Sequence, residues 1–398
     1  MKQVINLVII FLILVSTVFI KYQFFLHPSK DFYFLSASDI MSKAPEFLRK
    51  PVPTPYVDSY IEYPIITGLW ASFTGSLSGN AREYFFLNGI LLCFFSTLNI
   101  ILAKSLAKTY FGREISLYSF LTPSVVVFTF FNWEALALFF LLSALYSFGK
   151  TKNHSGIFLS TLGFWAKVFP IFCLPAIYLN LMRRKKYVLI ASSLAGLIII
   201  SLILNLPFYL ASHDGWSLFF TFSSKRPPNI DSVWSGIYVV TDKLFGTGFY
   251  YKRYYEVLIN YVSFGLMLLV GAVYYILKLR RRSEIHVIVD TAFLISIFLI
   301  LSKVYSPQYN LWIVLLLVVI GVSYKKILLY EMLNVFLTWA VFQYFWQVFI
   351  AGRTILPFPF FKLTYLLSVL RHLSLILIAM DLWRISFRRS AINYEKED

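Results

Sequence analysis

The chain has 398 residues, of which 59% are hydrophobic and 14% are charged, and its mean hydropathy is +0.72. A soluble domain has roughly 45–50% apolar and 25% charged residues, so the composition excludes a soluble enzyme, a disordered chain and a disulfide scaffold. The net charge of +17 comes from short Lys and Arg clusters between apolar runs, which is typical of membrane-span flanks rather than nucleic-acid surfaces. We therefore predict an all-α polytopic membrane protein with one integral membrane domain, residues 1–398.

The apolar runs predict the membrane spans. A hydrocarbon core about 30 Å thick takes roughly 20 apolar residues per helix. No Ala-x-Ala-like cleavage motif follows the first run, so we interpret it as an uncleaved helix rather than a signal peptide. The predicted spans are 4–20, 84–104, 115–131, 133–149, 187–209, 255–279, 285–303, 308–324, 327–349 and 363–383. With two half-helices described below, the bundle has about 10–12 transmembrane helices.

The first outer loop, residues 21–83, places carboxylates beside the membrane. An amphipathic stretch over residues 36–49 is expected to lie at the membrane interface. The apolar segment 63–77 is short and rich in Gly and Ser, which indicates a surface or re-entrant helix. The candidates for a general base are Asp31, Asp39, Asp58 and Glu62. A solvated acidic loop is the alternative for each of them taken alone.

Two ionisable side chains are predicted at membrane depth. The apolar stretch 155–182 contains Lys167 and then Pro170, and because proline removes a helical hydrogen bond, we predict two half-helices that meet at Lys167. Glu134 lies where the chain turns back into the membrane. An unpartnered charge at this depth is costly, so we expect Glu134 and Lys167 to pair. A purely structural ion pair is the alternative to a functional site.

Polar residues also gather in the second outer loop, residues 210–254, and in a later turn between two apolar helices. In the loop, Lys225 and Arg226 precede a tryptophan, and arginine binds phosphate through paired hydrogen bonds. Contact with lipid headgroups is the alternative for either residue. The polar side chains of the later turn include Lys303, Gln308 and Tyr309. A tight turn needs fewer polar groups than this, so the turn indicates a cavity that these polar side chains line.

The short loops alternate between basic and less basic, which sets the orientation. The basic loops should face the cytoplasm. We therefore expect both termini, including the tail 384–398, on the cytoplasmic side of a plasma membrane and the two long loops on its outer side. No nucleotide-binding motif is present, and the five histidines lack metal-ligand spacing. We therefore predict no cofactor and no metal site, although a divalent ion remains compatible with the sequence.

Six short motifs occur in an order that is typical of one group of enzymes. They are Pro55-Tyr-Val-Asp58, Glu62-Tyr-Pro64, Asn132-Trp-Glu134, Lys167-Val-Phe-Pro170, Arg226 with Ser232-Val-Trp234, and Lys303-Val-Tyr-Ser-Pro-Gln-Tyr309. Through them the chain resembles the polyprenyl-phosphate-mannose-dependent membrane mannosyltransferases of the GT-C superfamily, which include phosphatidylinositol-mannoside alpha-mannosyltransferases. The resemblance covers about residues 1–320. The relatives usually read Tyr-Pro-Pro where this chain has Ile65 after Tyr63-Pro64.

The resemblance implies a GT-C bundle whose active site opens outward beneath the first loop. It implies an inverting transfer of a hexose, usually mannose, from a polyprenyl phosphate to a lipid or glycan acceptor. The implied catalytic base is Asp31, with Asp39 and then Asp58 as alternatives. The expected donor-binding residues are Arg226, Lys303, Gln308, Tyr309 and Lys167, and the expected acceptor-binding or structural residues are Glu62, Tyr63 and Glu134.

Two other functions fit parts of this pattern. A transporter or flippase of lipid-linked precursors is favoured by the charge at a broken helix. That function gives no reason for several carboxylates on one outer loop, and only one such interruption is found. A structural subunit gives no reason for polar motifs on one side only. The sequence leaves open the hexose, its linkage, the acceptor, the isoprenoid length and the oligomeric state.

Overall fold

The computed structural model describes residues 2–29, 31–245, 253–281, 286–347 and 360–387. Every regular secondary-structure element in these residues is a helix. The α-helices are α1 (Lys2–Leu26), α2 (Tyr33–Ser36), α3 (Asp39–Phe47), α4 (Ile65–Ser76), α5 (Ala81–Phe111), α6 (Pro123–Phe128), α7 (Glu134–Gly149), α8 (Asn153–Ala166), α9 (Leu174–Arg183), α10 (Tyr187–Ala211), α11 (His213–Lys225), α12 (Val233–Phe245), α13 (Arg253–Arg280), α14 (Val287–Leu301), α15 (Leu311–Ile320), α16 (Tyr324–Phe345) and α17 (Phe360–Phe387).

Six of these helices, namely α1, α5, α10, α13, α16 and α17, are long and apolar enough to cross a membrane. Four shorter apolar segments accompany them: Glu134–Gly149, Phe169–Arg183, Val287–Leu301 and Pro307–Ile320. Half of the residues in the most apolar part of α5 and of α16 are buried, whereas few are buried in α10 and α13, as expected of helices that face lipid. The predicted all-α polytopic membrane protein is confirmed.

Prolines decide where two predicted spans are interrupted. The predicted break in the stretch 155–182 is confirmed, because α8 ends at Ala166 and Lys167 has an extended backbone. The uninterrupted span predicted over 115–131 is wrong. In its place the chain forms a 3-10 turn at Leu117–Phe120 and then the six-residue α6, which begins at Pro123. Pro123 lacks the N–H that a continuous helix would need at that position.

The segment between α1 and α5 folds down onto the bundle. The predicted amphipathic stretch contains α3, which buries Ile40 and Phe47. The backbone N–H of Asp39, at the start of α3, donates to the carbonyl of Phe131 over 3.0 Å. This bond places the first turn of α3 against the turn that precedes α7.

The second long loop packs against the first at Gly215 of α11. A Cβ atom at this position would overlap with the backbone carbonyl oxygen of Tyr56. Glycine is therefore required at Gly215 by close approach of two main chains rather than by its dihedral angles. Trp216 follows it and donates from Nε1 to Asn205 Oδ1 of α10 over 3.0 Å. The two loops thus pack together at the end of the bundle where α1 and α10 end and α5 begins. We call this end of the bundle the loop end.

This packing predicts the effect of a single methyl group. Gly215→Ala should lower the thermal unfolding midpoint in detergent, because overpacking against backbone costs about 1–3 kcal/mol. Gly196→Ala in α10 is the matched control, since a Cβ there meets no atom within 4 Å. Equal midpoints for the two variants would contradict the contact between the loops.

Candidate active site

Asp39 lies at the loop end, half-buried, where three separate parts of the chain meet. Its Oδ2 accepts a hydrogen bond from Asn132 Nδ2 at 2.7 Å and another from the Tyr63 hydroxyl at 3.3 Å. Asn132 Nδ2 also donates to the Tyr63 oxygen over 3.2 Å. The carboxylate is therefore fixed by neighbours 24 and 93 residues away in sequence. Its Oδ1 accepts no hydrogen bond from the described residues and remains available to a ligand.

The surroundings of Asp39 have opposing effects on its pKa. Burial raises the pKa of Asp39, because removal from water disfavours the charged form. The positive charges of Lys167 and Arg226 and the hydrogen bond from Asn132 lower it in part. A carboxylate of this kind takes up a proton at a higher pH than an exposed aspartate does.

A buried ion pair lies beside this carboxylate. Lys167 Nζ lies 3.0 Å from Glu134 Oε1, and both side chains are almost fully buried. The other carboxylate oxygen of Glu134 accepts a hydrogen bond from Trp312 Nε1 over 2.5 Å. Lys167 Nζ also lies 4.6 Å from the centre of the Tyr63 ring, within the range of a cation–π contact. The predicted pairing of Glu134 with Lys167 is therefore present in the structure.

Tyr309 and Gln308 border the same cluster from the turn before α15. The Tyr309 ring stacks on Trp312 with 4.1 Å between centroids. The Tyr309 hydroxyl lies within electrostatic range of Lys167, Arg226 and Asp39. Gln308 is buried, and its Oε1 has no hydrogen-bond partner among the described residues.

The remaining two cations come from different loops but are joined through the backbone. Arg226, at the end of α11, donates from Nη2 to Asn229 Oδ1 over 3.2 Å. The Asn229 N–H in turn donates to the carbonyl of Lys303 over 2.9 Å. Lys303 Nζ reaches back to the carbonyl of Ser224 at 2.9 Å. Arg226 and Lys303 are thus neighbours at the loop end.

A small cavity next to Tyr63 is lined mainly by aromatic rings. The ring residues that line it are Tyr56, Tyr63, Trp165, Trp216, Phe219 and Phe220. Its polar contributor is Asn205 of α10, whose Oδ1 accepts from Trp216. Its volume of about 10 Å³ is that of a single water, so the cavity is too small for a sugar or an isoprenoid chain.

The other carboxylates of the first loop lie outside this cluster. The Asp31 side chain is exposed, and it is its backbone carbonyl that accepts a hydrogen bond, from Trp339 Nε1 at 3.0 Å. Asp58 is exposed and caps its own turn by accepting from the Thr54 N–H over 2.9 Å. Glu62 forms a 2.6 Å ion pair with Lys43 of α3. Of the candidate bases, Asp39 is the one that the structure places beside Lys167.

Two participants were not assigned a role from the sequence. Asn132 holds Asp39, and its only signal is its place in the motif Asn132-Trp-Glu134. Trp312 donates to Glu134 from a part of the chain 178 residues away, which no local pattern indicates. Both supply neutral hydrogen-bond donors to a carboxylate, which sequence reasoning finds less readily than charges.

No protein-family model matches the chain, and no curated protein matches it significantly. Among the described residues, no three or more His, Cys, Asp and Glu side chains are grouped to hold a metal ion. The site contains one carboxylate, Asp39, with one oxygen that accepts no hydrogen bond from the described residues. Lys167 and Arg226 lie within electrostatic range of it, and Lys303 lies next to Arg226. This arrangement suits proton removal from a hydroxyl next to a bound anion.

The Glu134–Lys167 pair predicts a large and non-additive effect on stability. Glu134→Gln leaves the Lys167 cation buried without its counter-charge, which costs roughly 3–5 kcal/mol. Replacing both residues, as Glu134→Gln with Lys167→Met, should restore part of that loss. The measurement is the unfolding midpoint of purified protein in detergent.

The exposed pair of Lys108 with Glu114 provides the control, since its atoms are also close, at 2.8 Å, but are in contact with solvent. Glu114→Gln should leave the midpoint unchanged. If Glu134→Gln behaves like Glu114→Gln, the buried pair does not stabilise the loop end.

Proposed function

We propose that the protein is a hexosyltransferase that moves a sugar, mannose by resemblance, from a polyprenyl phosphate to a hydroxyl of a lipid or glycan. The observation that supports this most is that Tyr63 contacts both the Asp39 carboxylate and the Lys167 ammonium group, which come from distant parts of the chain. Arg226 lies within electrostatic range of the same carboxylate. The proposal is further supported by the buried polar turn at Gln308 and Tyr309. Fold and membrane location fit a lipid-linked donor.

In this proposal Asp39 is the general base. Its free Oδ1 takes the proton from the acceptor hydroxyl as that oxygen forms a bond to the anomeric carbon of the donor. The bond from the anomeric carbon to the phosphate oxygen breaks, and the polyprenyl phosphate leaves with the electron pair. Attack opposite to the leaving group inverts the anomeric carbon. Asn132 and Tyr63 hold the other carboxylate oxygen, so the base cannot rotate away.

The cations serve the leaving phosphate. Negative charge grows on the phosphate as it departs, and fixed positive charges in a site shielded from water stabilise that transition state. Arg226 and Lys303 hold the phosphate, while Lys167 links it to Glu134 and Asp39. Tyr309 and Gln308 orient the phosphate or the sugar.

The location of the reaction follows from the distribution of Lys and Arg. The short loops at the other end of the bundle carry most of the clustered positive charge, which favours the cytoplasmic side for that end. The loop end then faces outward from the plasma membrane, and both termini are cytoplasmic. Donor and acceptor are both reached from the outer leaflet.

A flippase of lipid-linked precursors is the second candidate, supported by the helix break at Lys167. The two functions separate in reconstituted vesicles that contain a labelled polyprenyl-phosphate sugar and a glycolipid acceptor. A transferase forms a new glycosidic bond, which mass spectrometry detects. Movement of the labelled donor between leaflets without any new bond supports the flippase.

Asp39 should be the aspartate that transfer depends on. Asp39→Asn is expected to lower the transfer rate about 10²–10⁴-fold, the usual contribution of a general base. Asp31→Asn and Asp58→Asn are matched controls on the same loop and should keep most of the activity. A strong loss in Asp31→Asn with an active Asp39→Asn variant would reverse the assignment.

The dependence of the rate on pH gives an independent test. The base is active when deprotonated, so transfer should fall as the pH drops, and the raised pKa of Asp39 places this fall above the range of an ordinary aspartate. Arg226→Gln removes a charge that lowers this pKa, so the acidic limb should move to higher pH. Arg184→Gln, an exposed arginine beyond α9, should leave the limb in place. An unmoved limb in Arg226→Gln would disconnect Arg226 from the base.

A further inference from the structure

Arg371 of α17 is a fully buried arginine that lies beyond the region of family resemblance. Its Nη2 donates to the backbone carbonyl of Asp231 over 2.7 Å, and its Nη1 donates to Asn334 Oδ1 over 2.9 Å. The guanidinium carbon lies 3.6 Å from the centre of the Tyr305 ring. Both Nη atoms also approach the Tyr305 carbonyl, at 3.3 and 3.4 Å.

These contacts join the two loops that carry the outer cations. Asp231 follows Arg226 by five residues, and Tyr305 follows Lys303 by two, so one guanidinium bonds to the main chain just after each cation. Ser368, one turn earlier on α17, donates to the same Asp231 carbonyl over 2.8 Å. Asn334 links the cluster to the turn before α15, because its Nδ2 donates to the Pro307 carbonyl over 2.9 Å.

The partners of Arg371 are mostly backbone oxygens. The nearest carboxylate oxygen, Oδ2 of Asp231, lies 3.9 Å away, so direct hydrogen bonding goes to the main chain and to Asn334. A buried charge is expensive, and an apolar side chain would pack between helices at less cost. An arginine fork, in contrast, holds several acceptors in one fixed plane, which a lysine cannot do. Arg371 therefore holds the main chain of two loops in place, rather than stabilising a contact between two helices.

We propose that Arg371 is a positioning residue that sets the separation of Arg226 and Lys303 and thereby forms the phosphate-binding site. This rests on the proposed function for the role of those cations in binding a polyprenyl phosphate. Arg371 itself does not contact the donor. It acts through the Asp231 and Tyr305 carbonyls, and Ser368 supports it at the first of these.

The first test needs no substrate. Hydrogen exchange of the full-length protein in lipid nanodiscs is compared for the wild type and Arg371→Lys. The segments 226–232 and 302–306 should exchange roughly tenfold faster or more in the variant, because a lysine cannot hold the carbonyls of both segments at once. Asp381→Asn, which removes a charge from the same helix where it pairs with Lys326, is the control and should leave both segments unchanged. Equal exchange in the wild type and Arg371→Lys would overturn the proposal.

The second test measures binding of polyprenyl phosphate alone, without sugar transfer. Arg371→Lys should weaken the affinity about tenfold and raise the KM for the donor, while kcat and the KM for the acceptor change little. Ser368→Ala is a milder variant, for use if Arg371→Lys does not fold, and should change donor binding in the same direction by a few-fold. Faster exchange in both segments with unchanged phosphate affinity would overturn the positioning role. A wild-type protein that binds no polyprenyl phosphate contradicts the proposed function, whereas the exchange result still decides whether Arg371 holds the loops.

Discussion

The buried ion pair between Glu134 and Lys167 is the contact around which the loop end is organised. Neither charge can stay in the apolar interior alone, so the break after α8 and the start of α7 must lie side by side. Trp312 satisfies the second oxygen of Glu134 and brings α15 to the same point. The Tyr63 ring lies against the Lys167 ammonium group, and its hydroxyl donates a hydrogen bond to Asp39. One electrostatic requirement thus gathers four distant parts of the chain.

The two carboxylates of the site, Asp39 and Glu134, have different roles in the proposed reaction. Asp39 keeps an oxygen free, whereas Glu134 has both oxygens engaged, by Lys167 and by Trp312. The first carboxylate is therefore suited to exchange a proton with a ligand, and the second to hold a cation in place. Around them the main chain, fixed by Arg371, brings further positive charge from two loops.

The sequence predicted the membrane class and the break at Lys167, because apolar length and proline act locally. The 115–131 span was mispredicted because its apolar composition hid the effect of Pro123. Choosing between Asp31 and Asp39 was beyond the sequence, since both are aspartates in one polar loop. What separates them is a hydrogen bond from Asn132, 93 residues from Asp39. Arg371 is a charged residue inside the predicted span 363–383, but its partners are mainly backbone carbonyls, which no side-chain pattern indicates.

The proposed reaction requires a phosphate to bind between these cations with a hydroxyl facing Asp39. An experimental structure of the full-length protein in nanodiscs with polyprenyl phosphate bound tests it most directly. We expect phosphate density in hydrogen-bond contact with Arg226 or Lys303, on the Oδ1 side of Asp39. Phosphate bound at the other end of the bundle, or beside Asp31 with Asp39 unapproached, would contradict it.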